Sequence, residues 1–228
     1  MSDFTFAEHG EDLLIHRLLL WKECGFYIDC GAYDARKMSL TARLRNFGWT
    51  GINVDIDESV IKRLQQNSPS TVSVCAAIGE VEGLATLYRY QDPVINTIDP
   101  EQHRHLQAIA QRGELFTQFV GEEQVRTTSI ARILEDNQVP DRQVDFLNLD
   151  NEGVELKALQ GFPWDRQKPQ VVSVEIHRLN LTNSSEHPLV RFMMAQGYIL
   201  QSYVFHTAIF TPKTFDTELC HRVSAKGL

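Results

Sequence analysis

A short apolar run that ends in an acid and a glycine is the feature that most constrains the fold. Residues 26–30 read Phe-Tyr-Ile-Asp-Cys, and Gly31 follows at once. This pattern predicts a buried strand that turns sharply into a nucleotide pocket. A second apolar run over residues 51–56 reaches Asp55 about one strand-helix unit later, where a ribose diol would need an acceptor. The two runs therefore predict neighbouring strands that hold an adenosine group.

The rest of the chain alternates between strand and helix patterns. Apolar residues at helical spacing over 11–22 predict a leading amphipathic helix. Further strands are predicted at about 71–78, 144–149, 171–176, 198–205 and 208–211, and helices at about 36–47, 58–67, 129–137, 154–159 and 188–196. This alternation is typical of an α/β fold, with a mostly parallel sheet of about seven strands and helices on both faces. We expect a closing hairpin at the carboxyl end of the chain.

The rhythm breaks over about residues 80–125, which predicts an insertion after the third strand. Residues 80–92 alternate as in a local hairpin, and residues 100–112 read as a helix with a proline in its first turn. We expect this insertion to form a lid. Because repeats and linker-like segments are absent from the sequence, we expect one domain over residues 1–228, with an amino-terminal segment and helix over residues 1–25.

The number of glycines at the first turn bears on the cofactor. A dinucleotide site needs three glycines to close backbone and helix on a pyrophosphate, whereas here Ala32 and Tyr33 follow Gly31. S-adenosylmethionine carries no phosphate, and its ammonium and carboxylate suit a turn that offers Asp29 beside backbone N–H groups. The alternatives are an NAD(P)-dependent oxidoreductase with a Rossmann-like fold and a non-catalytic cofactor-binding module.

Charge and cysteine content favour a cytoplasmic enzyme. The chain has 22 basic and 30 acidic residues, a formal net charge of -8, which disfavours a nucleic-acid partner. The 4 cysteines form no metal-binding pattern. Acids interrupt the amino-terminal segment where a secretory signal would be apolar, and no run is long enough to span a bilayer, so we expect no membrane partner. Nothing in the sequence predicts an oligomeric state.

A longer motif brings a family resemblance. Residues 145–155 read Asp-Phe-Leu-Asn-Leu-Asp-Asn-Glu-Gly-Val-Glu. This segment resembles the Asp-Phe-Leu-x-x-Asp-x-Glu-Gly-x-Glu signature of the FkbM-type family of class I S-adenosylmethionine-dependent methyltransferases. Shorter matches occur at residues 10–12, 27–32, 48–52 and 76–79, within a resemblance that runs from about residue 6 to residue 211. The chain departs from the family at Glu8, where glutamine is usual, and at Asn151, where an aliphatic residue is common.

The resemblance implies a seven-stranded sheet with an antiparallel last strand, and methyl transfer usually to a hydroxyl oxygen. By that analogy Asp29, Gly31 and Ala32 border the methionine part and Asp55 the ribose. Ile56, Ala76 and Ala77 border the adenine. The candidate cofactor-binding residues are Glu11, Asp29, Gly31, Ala32, Tyr33, Ser39, Asp55, Ile56, Ala76, Ala77 and Asp150. The expected acceptor is a hydroxyl of a small molecule or of a sugar or glycan.

The candidate catalytic residues follow two strand ends. Methyl transfer from a sulfonium needs an aligned acceptor and a base, and Asp150, Glu152, Glu175 and His177 could supply it, with histidine the better match to neutral pH. Plainer roles stay open. Asp29, Asp55, Asp150 and Glu152 could cap helices, Glu11 could simply favour a helix start, and His177 could donate to a backbone carbonyl.

The sequence does not determine whether a metal is required. Asp150, Glu175 and His177 offer oxygen and imidazole ligands of the kind that Mg²⁺ uses, but their spacing does not demand a metal. His103 and His105, two residues apart, do not share a helix face and are expected to be surface or substrate-facing groups.

Overall fold

The computed structural model describes residues 5–20, 22–139, 141–216 and 218, so Trp21 and Cys220 lie outside the described residues. The strands are β1 (Phe26–Cys30), β2 (Thr50–Asp55), β3 (Val72–Cys75), β4 (Ala77–Ile78), β5 (Gly83–Tyr90), β6 (Phe119–Thr128), β7 (Phe146–Leu149), β8 (Val171–Glu175), β9 (Tyr198–Val204) and β10 (Thr207–Pro212). The α-helices are α1 (Glu11–Leu18), α2 (Ala42–Asn46), α3 (Glu58–Asn67), α4 (Pro100–Gln111), α5 (Ile130–Asp136), α6 (Glu155–Gln160) and α7 (Pro188–Ala195). Short 3₁₀ turns cover Pro93–Ile95 and Leu181–Glu186.

Seven strands form the main sheet in the order β3-β2-β1-β7-β8-β10-β9. The pairs β3–β2, β2–β1, β1–β7 and β7–β8 are parallel, whereas β10 is antiparallel to both β8 and β9. The predicted seven-stranded, mostly parallel sheet with an antiparallel last strand is therefore confirmed. The strand order reverses direction between β1 and β7, and ligands of open α/β sheets bind outside the carboxyl ends of the strands at such a point.

Helices cover both faces of this sheet because side chains alternate along each central strand. Phe26, Ile28 and Cys30 of β1 pack into the apolar core that includes side chains of α5, α6 and α7. Tyr27 points to the opposite face, where the core includes side chains of α1 and α2. Every residue of β1 is buried, as expected for a central strand covered on both sides.

The insertion differs from the predicted local hairpin. Residues 83–90 form one strand, β5, which pairs antiparallel with β6 over Gly83–Thr127 through Tyr90–Phe119, and α4 lies between them in the chain. The prediction of a hairpin within 80–92 is wrong because alternation shows that a segment is extended but not which strand it pairs with. With β4, these strands form a separate sheet in the order β4-β6-β5.

Two other predicted elements are shorter than expected. The strand predicted at 71–78 divides at Ala76 into β3 and β4, which join different sheets. The helix predicted at 36–47 is confined to α2, because Met38 has φ +55° and Asp34 accepts hydrogen bonds from the amides of Arg36 and Lys37 in a turn. Among the described residues, no helix has the length and apolar character needed to cross a bilayer.

Candidate functional site

A cavity of about 470 Å³ lies at the carboxyl ends of β1, β2, β7 and β8. The predicted site residues that line it are Gly31, Tyr33, Asp55, Ile56, Ala76, Ala77, Asp150, Glu152 and Glu175. The insertion supplies another part of the wall through residues 92–96, Ile98 and Phe116. Glu8 of the amino-terminal segment also lines the cavity.

The turn after β1 requires a glycine. Gly31 has φ +82°, and a Cβ atom at this position would lie 1.7 Å from the backbone oxygen of Asp150. The amides of Gly31 and Ala32 both donate to the carbonyl oxygen of Val54, at 2.9 and 3.1 Å, and the Asp150 amide donates to the carbonyl of Cys30 at 2.9 Å. The ends of β1, β2 and β7 are thus joined at one edge of the cavity.

The carboxylate of Asp55, at the end of β2, accepts hydrogen bonds from two backbone amides. Oδ2 accepts from the amide of Tyr33 at 3.1 Å and Oδ1 from the amide of Asp57 at 2.9 Å. Burial raises the pKa of Asp55 to about 6, against the amides of Asp57 and Tyr33, which lower it. Each carboxylate oxygen keeps a further acceptor position, so Asp55 fits the ribose role implied by the resemblance.

Asp29 does not line the cavity. Its Oδ2 accepts from the hydroxyl of Thr41 at 2.7 Å and its Oδ1 from the amide of Asn148 at 2.9 Å, while Asn148 Oδ1 accepts from Ser173 Oγ at 2.6 Å. Asp29 is buried, and this burial raises its pKa. The chain of bonds ties β1 to β7 and β8, so Asp29 supports the turn from behind instead of contacting a ligand in this conformation. Sequence reasoning missed Asn148, whose polar side chain inside an apolar strand pattern was the available signal.

Three other cofactor candidates also lie outside the cavity lining. Glu11 is buried, and its Oε2 accepts from the amide of His9 at 2.9 Å. Ser39 Oγ accepts from the amide of Ala42 at 3.1 Å at the start of α2. Ala32 packs among apolar side chains of α3. In this conformation these three residues shape the walls of the fold, and the contact of the amino-terminal segment with the cavity comes from Glu8.

The four catalytic candidates come together. Asp150, Glu152 and Glu175 line the cavity, and Nε2 of His177 lies 3.3 Å from Oε1 of Glu175. Burial, followed by the charges of Glu175 and Glu152, raises the pKa of Asp150 well above its ordinary value. Burial, followed by the charge of Glu175, raises the pKa of Glu152 to about 8, and the hydrogen bond to Glu175 raises the pKa of His177. Asp150, Glu152 and His177 therefore hold their protons to a higher pH than exposed side chains of the same types do.

Neither Asp150 nor Glu152 caps the next helix. Helix α6 has Val154 at its N-cap with no side-chain hydrogen bond, so the capping alternative for Asp150 and Glu152 is wrong. Oε1 of Glu155 instead accepts from the amides of Asn151 and Gly153, at 2.9 and 3.1 Å. Burial raises the pKa of Glu155 to about 7.

The insertion contributes two residues that sequence reasoning did not assign correctly. Gln102 of α4 donates from Nε2 to Oε2 of Glu152 at 2.9 Å, and no sequence motif marks it. His103 was expected at the surface or facing a substrate, but it is buried, with Nδ1 2.9 Å from the hydroxyl of Tyr90 and its ring stacked on Tyr88 at 4.0 Å. Its neighbour His105 is exposed.

The chemistry of one trio fits a hard divalent cation. Within the described part of the chain, ligand atoms of Glu152, Glu175 and His177 lie within 4.8 Å of one another. Carboxylate oxygens and an imidazole suit Mg²⁺ or Mn²⁺, and ligands of an octahedral ion bound at about 2.1 Å lie up to about 4.2 Å apart. Small side-chain rotations would therefore accommodate an ion, with Glu152 completing the trio in place of the expected Asp150.

Comparison with known protein families gives a match for this chain. The model of the methyltransferase FkbM domain matches residues 29–200. The chain belongs to the FkbM methyltransferase domain family. The matched segment contains the Gly31 turn, the insertion and all four catalytic candidates, so the resemblance read from the sequence is confirmed and methyl transfer is the supported general activity. Among curated proteins, no significant match to this chain is found.

Proposed function

We propose that this FkbM-family protein is an S-adenosylmethionine-dependent O-methyltransferase that acts on a hydroxyl group of a small molecule or sugar. The observation that carries the proposal is one cavity whose lining has two chemically different parts. Gly31 and Asp55 form the cofactor end, and directly beside it the acids Asp150, Glu152 and Glu175 form a cluster at the ends of β7 and β8. A cofactor end beside a cluster of proton acceptors is what transfer of a methyl group to a hydroxyl requires.

The cofactor end suits an adenosine without linked phosphates. The Gly31 turn is closed by the Asp150 carbonyl, and Asp55 offers acceptor positions for ribose hydroxyls. Ile56, Ala76 and Ala77 give an apolar wall for the adenine ring. S-adenosylmethionine would supply a methyl group already activated on a sulfonium, so the protein needs to align the acceptor and take its proton.

We assign proton acceptance to His177, with Glu175 as the residue that orients its ring. Nε2 of His177 lies 3.3 Å from Oε1 of Glu175, which places the imidazole beside a residue that lines the cavity. With S-adenosylmethionine and an acceptor bound, His177 would take the hydroxyl proton as the acceptor oxygen displaced the sulfonium sulfur from the methyl carbon. The same Oε1 of Glu175 would accept a hydrogen bond from the imidazolium that forms.

The charge of the cavity supports a neutral acceptor rich in hydroxyl groups. Among described residues of the lining, the acids are Glu8, Asp55, Asp92, Asp150, Glu152 and Glu175, and the cation is Lys37. Carboxylates accept hydrogen bonds from hydroxyls and repel anionic acceptors. The ring of Phe116, which is 69% exposed, offers a flat apolar surface at the cavity wall against which a sugar or ring could pack. The insertion would close over this acceptor.

Calorimetry with S-adenosylmethionine, S-adenosylhomocysteine and NAD is the first test. We expect both sulfur ligands to bind and NAD to fail, whereas binding of NAD alone would support the oxidoreductase alternative. The second test is transfer of labelled methyl to a panel of neutral, anionic and amino sugars and phenols. Binding of the sulfur ligands without any methylated product from this panel or from a cell extract would support the non-catalytic module.

A further inference from the structure

The middle of the insertion is hydrogen-bonded to the loop that carries Glu152. The hydroxyl of Thr97 donates to the carbonyl oxygen of Glu152 at 2.6 Å, and Nε2 of Gln102 donates to its Oε2 at 2.9 Å. Asp99 caps α4 by accepting from the amides of Glu101 and Gln102, at 3.3 and 3.1 Å. The insertion thus holds both the backbone and the carboxylate of one catalytic candidate.

The held loop has an unusual backbone. Glu152 has φ +53° and Gly153 has φ +107°, and the first of these is a conformation that residues with a side chain rarely adopt. A Cβ atom on Gly153 would lie 2.8 Å from Oδ2 of Asp99. The carboxylate that caps α4 is therefore packed directly against the loop, and the surface of the insertion is shaped to this bend.

The hydrogen bond from Gln102 also has an electrostatic consequence. Glu152 shares the cavity with Asp150 and Glu175; the charge of Glu175 raises the pKa of Glu152, and the hydrogen bond from Gln102 lowers it. An amide N–H stabilises a carboxylate without adding a positive charge, so the bond fixes the direction of the carboxylate while the acid cluster keeps its net charge. A lysine at this position would instead form an ion pair.

We propose that Gln102 is a positioning residue for methyl transfer, which holds the carboxylate of Glu152 in the acid cluster and makes the insertion part of the catalytic site. This inference rests on the proposed function. Besides covering the cavity, the insertion would then hold Glu152 beside Asp150 and Glu175. Displacement of α4 would break the bond from Gln102 and let Glu152 move away from them. The residue acts through Glu152 and does not itself line the cavity.

Urea unfolding in a double-mutant cycle tests the contact without any need for activity. The variants are Gln102→Met, which keeps the shape but loses the donor, Glu152→Met, which loses the acceptor, and the double variant. We expect Gln102→Met to lower the folding equilibrium constant about threefold to tenfold in the wild-type background and less in the Glu152→Met background. Gln107→Met is the matched control, because Gln107 is exposed on the same helix. Equal losses in both backgrounds would overturn the proposed contact.

Steady-state kinetics test the positioning role. We expect Gln102→Met to lower kcat about tenfold with the KM for S-adenosylmethionine unchanged, Gln107→Met to behave as wild type, and Gln102→Lys, which keeps an N–H donor, to recover part of kcat. A wild-type kcat in Gln102→Met, or a rise in KM alone, would overturn the role. If the unfolding cycle shows coupling but the wild-type protein transfers no methyl group, the contact stands and the proposed function fails.

Discussion

Replacement of Asp55 by asparagine tests the cofactor end of the cavity. In the wild-type protein both carboxylate oxygens face backbone amides, those of Tyr33 and Asp57, and each keeps an acceptor position for a ribose hydroxyl. Asparagine retains one oxygen and puts an NH₂ group where the other oxygen stood. That NH₂ group faces an N–H donor, so the turn loses one hydrogen bond and the ligand loses an ionised acceptor.

The expected size follows from the bond that is lost. A hydrogen bond to a charged group contributes about 1.5–3 kcal/mol, which corresponds to about 10- to 150-fold in a dissociation constant. Because asparagine keeps one acceptor, we expect the lower half of this range for S-adenosylmethionine. The pKa of Asp55, raised by burial to about 6, adds a pH dependence. Hydroxyl donors favour the ionised form, so wild-type affinity should weaken as the pH falls through 6, and Asp55→Asn should lack this dependence between pH 5 and 8.

Calorimetry with S-adenosylmethionine and S-adenosylhomocysteine measures both effects, and thermal melts check that the variant is folded. Glu58→Gln is the control, since it removes the same charge nearby from a side chain that is 76% exposed and pairs with Lys62 at 3.8 Å. An Asp55→Asn protein that binds within twofold of wild type would refute the ribose role. A loss of the same size in Glu58→Gln would show that net charge, and not the hydrogen bond, is responsible.

Three further predictions concern the acid cluster. We expect His177→Gln to lower kcat about 10²- to 10⁴-fold and to abolish the rise of wild-type kcat with pH above 6.5, because the raised pKa of His177 shifts formation of the neutral base to higher pH. The control is His105→Gln, at an exposed histidine, which should change neither kcat nor its pH profile. Equal pH profiles for the wild-type protein and His177→Gln would contradict the assignment. The raised pKa values of Glu155 and Glu152, about 7 and 8 against an ordinary value of 4.5, make the folded state bind more protons than the unfolded state between those values. The free energy of unfolding should therefore fall from about pH 5 to about pH 8, by at most about 1.4 kcal/mol per pH unit for each group, and level off above that pH. Urea titrations of Glu152→Gln should show a smaller fall. Dialysis against EDTA should leave kcat unchanged if His177 acts directly, whereas loss and recovery with Mg²⁺ would show that Glu152, Glu175 and His177 bind a required cation.

Local sequence patterns predicted the order of strands and helices because these patterns depend on residues that are close together in the chain. Apolar runs that end in Asp29 and Asp55 become β1 and β2, and their pairing in parallel register is the expected outcome of strand-helix alternation. Gly31 was predicted from its place in the turn, and the structure gives the reason in its contact with the Asp150 carbonyl. The motif over residues 145–155 predicted the family because it is one continuous stretch, which runs through β7 to the first residue of α6.

The sequence pattern did not predict which distant segments of the chain pair with each other. The alternation in residues 83–90 fits any extended strand, and only the folded chain selects β6 as its partner. His103 has the same helical spacing whether it faces solvent or the rings of Tyr88 and Tyr90. Both outcomes depend on packing between segments separated by α4 or by a turn, which periodicity does not encode.

The sequence by itself determined which acids stand at strand ends, and the tertiary structure decided what each acid does. Asp29 is the next-to-last residue of β1 and Asp55 is the last residue of β2, and Asp29 bonds to Thr41 and Asn148 in a buried network while Asp55 faces the cavity. Glu152 and Glu155 lie in one motif, yet one joins the acid cluster under Gln102 and the other caps a loop. The physical reason is that the role of a carboxylate is set by the donors and charges around it, and those come from β7, β8 and α4, which are far apart in the chain.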